Sequence, residues 1–394
     1  MYARDPRVGA GAWIRPILIY TFASAESSLV ESAEALIVET ASDRLVFTPT
    51  IDSNVYSNAE AHSLAQYPLA RCLDGSPAQY YLSKGDPSRV FIFFEGGGFC
   101  QDLAACQARA GTRLGSTAHD PPVMKLDRPY FSRSPRASPL LSAFTFVYVR
   151  YCDGGYYSGE RASVVAHNST SLHFKGRWIT EALLRDLRLD TASRVVMGGC
   201  SAGGIRILAH LDYLRGLLPA TVSVVGFADS GFYTDVPSFT SLKRFVVAPN
   251  GQNATRLLSS RCLAAYPLAA EKCLIAQRAA QYLRTAVFVW QSRYDADQRS
   301  CEMSPRCAAS PACVELYAHR LSHAIRRGLF AAAQHVRHGG FVDTCDRHCD
   351  DGIALPLNLT VDGTNPWQAF AIWYGSNHSK SRTLWEVGGT MAKC

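Results

Sequence analysis

From about residue 60 onward, short apolar runs rich in β-branched and aromatic residues alternate with stretches whose apolar positions recur every three or four residues. That alternation predicts an α/β fold. The strands fall at 89–94, 144–149, 194–197, 222–228 and 285–291. Each is apolar almost without interruption, as strands buried on both faces require, so the sheet is expected to be mostly parallel and doubly wound. Ile179, Leu183 and Leu187 recur at helical spacing, and Ile205, Leu208, Ala209 and Asp212 open a second helix directly after a glycine-rich turn. Segments 230–284 and 292–330 hold cysteines and turn residues and read as insertions on the sheet. With no internal repeat, residues 61–394 read as one domain behind a variable lead-in over 26–60.

The first 25 residues have a different pattern. Arg4 and Arg7 precede an apolar run at 16–22 and then Ala23-Ser24-Ala25, a small-x-small cleavage site, so 1–25 reads as a signal peptide. Thirteen cysteines and four N-x-[ST] sequons, at Asn168, Asn253, Asn358 and Asn377, agree with an oxidising, extracellular destination and N-glycosylation. Spacing puts Cys100 with Cys106, Cys301 with Cys307 and Cys345 with Cys349. The odd count leaves one thiol free, for which Cys200, wedged in a glycine turn, is the candidate. No later stretch reaches the roughly 18 to 20 apolar residues of a membrane span. A composition of 47% hydrophobic and 19% charged residues excludes disorder and collagen-like repetition. The net charge of +7 is scattered, without a basic run that would track a nucleic acid.

The strongest chemical signal is Val195-Val196-Met197-Gly198-Gly199-Cys200-Ser201-Ala202-Gly203-Gly204, a strand running through G-x-S-x-G into a helix. This is the pattern of a nucleophile elbow. The reversal from strand to helix leaves no room for side chains at 199 and 203. It also aims Ser201 Oγ out of the sheet, with the Ala202 N–H and the helix N-terminus facing an oxygen that becomes negative. Upstream, 91–94 empties into Glu95-Gly96-Gly97-Gly98-Phe99-Cys100, a loop whose bare N–H groups suit the other half of an oxyanion hole. No Gly-Lys-[Ser/Thr] follows it and no G-x-G-x-x-G is present, which argues against a phosphate site.

A serine nucleophile needs a base and an acid that orients the base, both expected after Ser201. Asp295, in the loop after the 285–291 strand, is the candidate acid, with Asp297 in reserve. His335, His338 and His348 are the late histidines, and His348 is favoured because Cys345 and Cys349 can pin its loop. A zinc site drawn from His335, His338, Cys345 and Cys349 fits no common ligand spacing. His173 reads as a satisfied loop or core histidine and Asp229 as a structural carboxylate.

Seven motifs in order, Glu95 to Cys100, Arg150 to Gly154, Leu172 to Gly176, Gly199 to Gly204, Ala228 to Phe232, Tyr294 to Gln298 and Cys345 to Cys349, resemble the pectin acetylesterase/Notum family of carboxylesterases over about residues 70–350. The resemblance implies an α/β-hydrolase fold, a Ser201–Asp295–His348 triad, oxyanion donors at Gly97, Gly98 and Ala202, and a Cys72–Cys152 bridge. The Notum branch has Trp where Gly98 stands, and the family often has Trp where Phe99 stands. The glycine triplet therefore favours the pectin acetylesterase branch. The segment around Asn365-Pro366-Trp367 and Trp373-Tyr374 fits only loosely.

The expectation is a secreted serine carboxylesterase that removes acetyl groups from a polysaccharide such as pectin, with no metal or organic cofactor. Phe99, Tyr156, Tyr157 and Phe232 would offer faces to sugar rings. The alternatives are a Notum-like esterase that removes a longer acyl chain from a protein, and a catalytically silent binding protein on the same fold.

Overall fold

The structure, a computed structural model, describes residues 56–330, 336, 338–349, 359–376 and 383–393. The signal-peptide reading, His335, Asn358 and Asn377 lie outside these residues. In chain order the strands are β1 (Asn58–Ser63), β2 (Gln79–Ser83), β3 (Asp86–Phe94), β4 (Val123–Lys125), β5 (Phe144–Val149), β6 (Val165–His167), β7 (Thr170–Leu172), β8 (Arg194–Cys200), β9 (Ser223–Asp229), β10 (Val287–Ser292), β11 (Gly339–Asp343) and β12 (Leu384–Glu386). Ten form one sheet in the order β12-β11-β10-β9-β8-β3-β5-β2-β1-β4, while β6 and β7 make a separate hairpin.

From β12 to β5 every neighbouring pair is parallel; β2, β1 and β4 extend the sheet antiparallel. The five predicted strands occupy the middle. Because successive side chains point to opposite faces, β3 divides its residues cleanly. Val90, Ile92 and Phe94 enter an aliphatic core with Val195, Met197, Ile205 and Leu208 on one face. Phe91 and Phe93 enter an aromatic core with Phe146, Phe227, Phe288, Trp290 and Trp373 on the other. Each fully buried side chain of this size contributes about 1.5–3 kcal/mol of burial.

Three helices bear on the site: α1 (Leu103–Ala110), α2 (Gly176–Asp186) and α3 (Ala202–Gly216). The buried stripe of α3, from Ile205 through Leu208 and Leu211, packs on β8 and β9. The loosely matching C-terminal segment forms the helix Pro366–Gly375, closed at its start by a capping box between Asn365 and Gln368. It lays Trp367, Phe370 and Trp373 on the aromatic face of the sheet. The 292–330 insertion is dominated by the 19-residue helix Pro311–Leu329.

Disulfides join Cys72–Cys152, Cys100–Cys106, Cys200–Cys349, Cys262–Cys273 and Cys307–Cys313. Three expectations from spacing are corrected. Cys301 does not pair with Cys307, which bonds Cys313 at the same six-residue separation. Cys301 sits instead on the helix Ala296–Glu302 with its Sγ 3.8 Å from an Asp297 oxygen, and is the free cysteine among the described residues. Cys345 is disulfide-bonded but not to Cys349, and Cys200 is not free, because Cys200 and Cys349 bond each other across 149 residues.

Candidate active site

The turn after β8 has the geometry its sequence predicts. Ser201 takes φ +54° and ψ −117°, a left-handed conformation rare for a residue with a side chain. Its N–H donates to the Asp229 carbonyl at 3.0 Å, and α3 begins at the next residue. A Cβ at 199 would lie 2.4 Å from the Gly203 carbonyl carbon, and one at 203 would lie 2.0 Å from the Phe94 carbonyl oxygen. Both positions therefore require glycine for close backbone approach.

The glycine loop after β3 runs beside this turn. A Cβ at Gly96 would fall 3.0 Å from Ser201 Cβ. Gly97 and Gly98 have φ of +148° and +67°. Among the described residues no hydrogen bond engages either N–H. The loop is clamped from behind: the buried Glu95 carboxylate pairs with Arg113 and Arg150 and accepts from the Tyr151 N–H at 2.8 Å. Tyr151 Oη donates to the Gly98 carbonyl at 2.6 Å and Tyr157 Oη to the Glu95 carbonyl at 3.0 Å. The Cys100–Cys106 bridge ties the far end of the loop to α1.

His348 and Asp295 come together from segments 53 residues apart. His348 Nδ1 lies 2.8 and 2.9 Å from the two Asp295 oxygens. Asp295 is fully buried at the start of the helix Ala296–Glu302, where its carboxylate also accepts from the Gln298 N–H at 2.9 Å and from Gln291 Nε2 at 3.2 Å. Asp297, the reserve, is 46% exposed, 4.0 Å from His348 Nε2, and accepts from Tyr233 Oη at 2.6 Å. Burial depresses the imidazole pKa, but the hydrogen bond and charge of Asp295 outweigh it and hold His348 above its ordinary value. Of the other late histidines, His338 is buried beneath β10, where its Nδ1 accepts from the Val287 N–H at 3.2 Å.

The Cys200–Cys349 disulfide links the residue before Ser201 to the residue after His348, with their Cα atoms 5.8 Å apart. Ser230 Oγ accepts from the Cys349 N–H at 2.8 Å. The Arg347 guanidinium spans Asp229 at 3.1 Å and Asp343 at 2.8 Å and lies over the Trp290 ring at 4.3 Å. The loop that carries His348 is thus fixed on both sides of the imidazole. Among the described residues no hydrogen bond joins Ser201 Oγ to the imidazole, a contact that in ligand-free sites often forms only with substrate present. Sequence reasoning missed the bridge and the Arg347 clamp, although the adjacent pairs Cys200-Ser201 and His348-Cys349 were the available signal.

Three residues expected to face sugar rings do not. Tyr156, Tyr157 and Phe232 are fully buried. The tyrosines adopt left-handed φ of +59° and +55° that turn their rings inward, Tyr157 packing on Phe94 at 5.0 Å and Tyr151 at 4.9 Å. Phe232 lies under the Pro311–Leu329 helix at Gly328. Phe99 alone stays half-buried, tilted on Tyr156 at 5.3 Å. His173 is half-buried against Gly75. Asn168 is exposed at the β6–β7 turn, and Asn253 is half-buried.

A family model described as pectinacetylesterase matches residues 62–382. Pectin acetylesterase 4 of Arabidopsis thaliana is 31% identical over 330 residues, covering 76% of this chain and 78% of that protein. The palmitoleoyl-protein carboxylesterase NOTUM of Drosophila melanogaster is 26% identical, covering 78% of this chain and 47% of that protein. The solved structure of the Wnt deacylase Notum from Drosophila superposes with a TM-score of 0.70 at 23% identity, covering 84% of this chain and 98% of that one, and so shares the α/β-hydrolase-like fold. With a family match over most of its length, this chain belongs to the pectinacetylesterase family and is a carboxylic ester hydrolase.

Proposed function

We propose that the protein is a secreted serine esterase that releases acetyl groups from a polysaccharide such as pectin, through an acyl-enzyme on Ser201. The observation that carries this reading is the Asp295–His348 pair at 2.8 Å, bolted by Cys200–Cys349 to an elbow with Ser201 in a left-handed conformation. Ser201 Oγ attacks the ester carbonyl as His348 Nε2 accepts its proton, while Asp295 holds Nδ1–H and stabilises the imidazolium. The carbonyl oxygen becomes negative beside the Gly97, Gly98 and Ala202 N–H groups. Collapse expels the alcohol, which takes the proton from His348. Water then attacks the acyl-enzyme, gives its proton to His348, and acetate leaves as Ser201 is restored.

A short acyl group fits the surroundings of the glycine loop. Phe99, Tyr156, Tyr233 and Phe239 close around the buried Lys243, whose Nζ lies 3.2 Å from the Phe239 centroid and 4.6 Å from that of Phe99. That cluster packs against Phe99 at the end of the glycine loop, and Gly98 contributes no side chain there, both of which support the short-acyl reading. The disulfides among the described residues support a secretory destination. The test is kcat/KM across p-nitrophenyl esters from acetate to palmitate, with acetate release from acetylated pectin alongside and Ser201→Ala as control. Activity should be highest on acetate and vanish in the variant. A tenfold rise from acetate to octanoate would replace this reading with that of a lipid esterase.

A further inference from the structure

Away from the serine, a groove of about 970 Å³ opens between the loop after β9, the end of the helix Ala296–Glu302 and one face of the helix Pro311–Leu329. Its lining includes Arg278, Arg320, Arg326 and Arg327 against one carboxylate, Glu302. Glu302 is buried and already committed, accepting from the Thr234 N–H at 2.6 Å and Tyr317 Oη at 2.9 Å, and burial pushes its pKa up to about 7. The groove therefore gathers four guanidinium groups beside a carboxylate that is already committed.

Two of the four arginines are engaged, Arg278 with Asp235 and Arg326 with Glu386. Arg320 and Arg327 are exposed and have no carboxylate partner among the described residues. Seven residues apart on one helix, they share a face and stand about 10 Å apart along its axis. Arg327, in the last turn, complements the helix dipole, but Arg320 lies mid-helix, where that explanation does not reach. Leu316, 50% exposed, continues the same stripe and offers an apolar surface beside the charges. The helix Ala296–Glu302 connects groove and catalytic centre: Asp297, beside His348, is in its first turn, and Glu302, in the groove, is five residues or about 7 Å further along.

We propose that this groove is a carboxylate-binding subsite, in which Arg320 and Arg327 hold the anionic backbone of a polyuronate whose ester lies at Ser201. The inference rests on the polysaccharide reading of the catalytic site and adds to it two residues, away from the reacting groups, that would hold the polymer. Matched positive potential raises the local concentration of such a polymer and makes its capture sensitive to salt.

The test compares wild type with an Arg320→Glu/Arg327→Glu variant, both positions exposed and outside the reacting groups. Hydrolysis of p-nitrophenyl acetate should be unchanged, which checks folding and chemistry. KM for acetylated polygalacturonate should rise about tenfold with kcat unaltered, and the wild-type increase of KM between 50 and 300 mM NaCl should flatten. KM for neutral acetylated xylan should not move. Binding of unacetylated polygalacturonate, measured by calorimetry, should weaken in parallel. Unaltered binding of that polymer, or equal loss on xylan, would overturn the subsite. Binding of heparin or DNA at the groove as tight as that of polygalacturonate would also overturn it, leaving a general polyanion surface. If wild type releases no acetate from the polyuronate, the catalytic reading fails, and the calorimetry still decides the groove by itself.

Discussion

Replacing Asp295 by Asn tests the proposed triad at its most buried member. Three donors converge on its carboxylate: the Gln298 N–H at 2.9 Å, Gln291 Nε2 at 3.2 Å and His348 Nδ1 at 2.8 Å. Asn keeps the shape but turns one oxygen into a donor, so one of the three must face an NH₂. The peptide N–H and the Gln291 amide cannot become acceptors in place. The imidazole can, by moving its proton to Nε2, and Nε2 then meets the serine as a donor instead of a base. The charge-assisted hydrogen bond that forms as His348 takes the proton, about 1.5–3 kcal/mol, is lost as well. Together the wrong tautomer and the missing charge should lower kcat by about 10³–10⁴ with KM little changed.

Asp297→Asn is the matched control. At 4.0 Å from Nε2 and 46% exposed, its charge acts largely through water, where a pair at that range is worth about 1 kcal/mol before screening, so the loss should stay below about fivefold. The pH profile is a second readout. His348 must be neutral to act as base, and Asp295 holds its pKa above the ordinary value, so wild-type kcat/KM should fall as pH drops through a midpoint above about 6.5. In Asp295→Asn the midpoint should move to lower pH, because burial still disfavours the imidazolium while the hydrogen bond and charge of Asp295, the main opposing contributions, are gone. Stopped-flow hydrolysis of p-nitrophenyl acetate from pH 5 to 9 measures both quantities. If Asp297→Asn proved as damaging as Asp295→Asn, or Asp295→Asn kept kcat within tenfold of wild type, the assignment of the acid would be wrong.

Removing the Cys200–Cys349 bridge as the double alanine variant opens a loop of 149 residues and should cost about 2–5 kcal/mol of stability by denaturant titration; it should also lower kcat more than it raises KM, and unchanged values of both would show that the bridge neither braces the fold nor holds His348. Lys243 is buried, with no hydrogen-bond partner for its Nζ among the described residues, and burial lowers its pKa to about 7. Between about pH 7 and 10 the unfolded chain then binds a proton that the folded one lacks, so stability should rise with pH across that window; thermal melts of Lys243→Met should lose the rise and be more stable at pH 7, and an identical pH dependence would refute the depressed pKa. Arg347→Met should lower kcat, because the clamp between Asp229 and Asp343 positions the His348 loop; retention of full kcat by crude and purified enzyme alike would leave Arg347 a purely structural residue.

The centre of the fold was legible because its strands are buried on both faces and so are written as unbroken apolar runs, as in Phe91-Ile92-Phe93-Phe94. The edges were not. The edge strands β4 and β12 are each three residues long, and β1, next to the edge, reads Asn-Ala-Glu-Ala-His-Ser; strands with one partner or one buried face need no unbroken apolar run, so the pattern does not mark them. The site divides along the same line. Ser201 announces itself because the steric demands of the elbow are local, confined to Gly199 and Gly203. The acid and the base are 53 residues apart, so the residues alone left Asp295 and Asp297 level, separated only by family likeness and, in the structure, by burial. The tyrosines show the converse error. Polar-tipped rings next to glycine-rich motifs look like sugar platforms, yet Tyr157 spends its hydroxyl on the Glu95 and Val149 carbonyls. A loop of small residues close to reacting atoms cannot brace itself, and its support has to come from large side chains beneath it. The rings nearest such a site in sequence are therefore more apt to hold the loop than to touch the substrate, and recognition of the polymer is left to more distant surfaces such as the arginine face of the helix Pro311–Leu329.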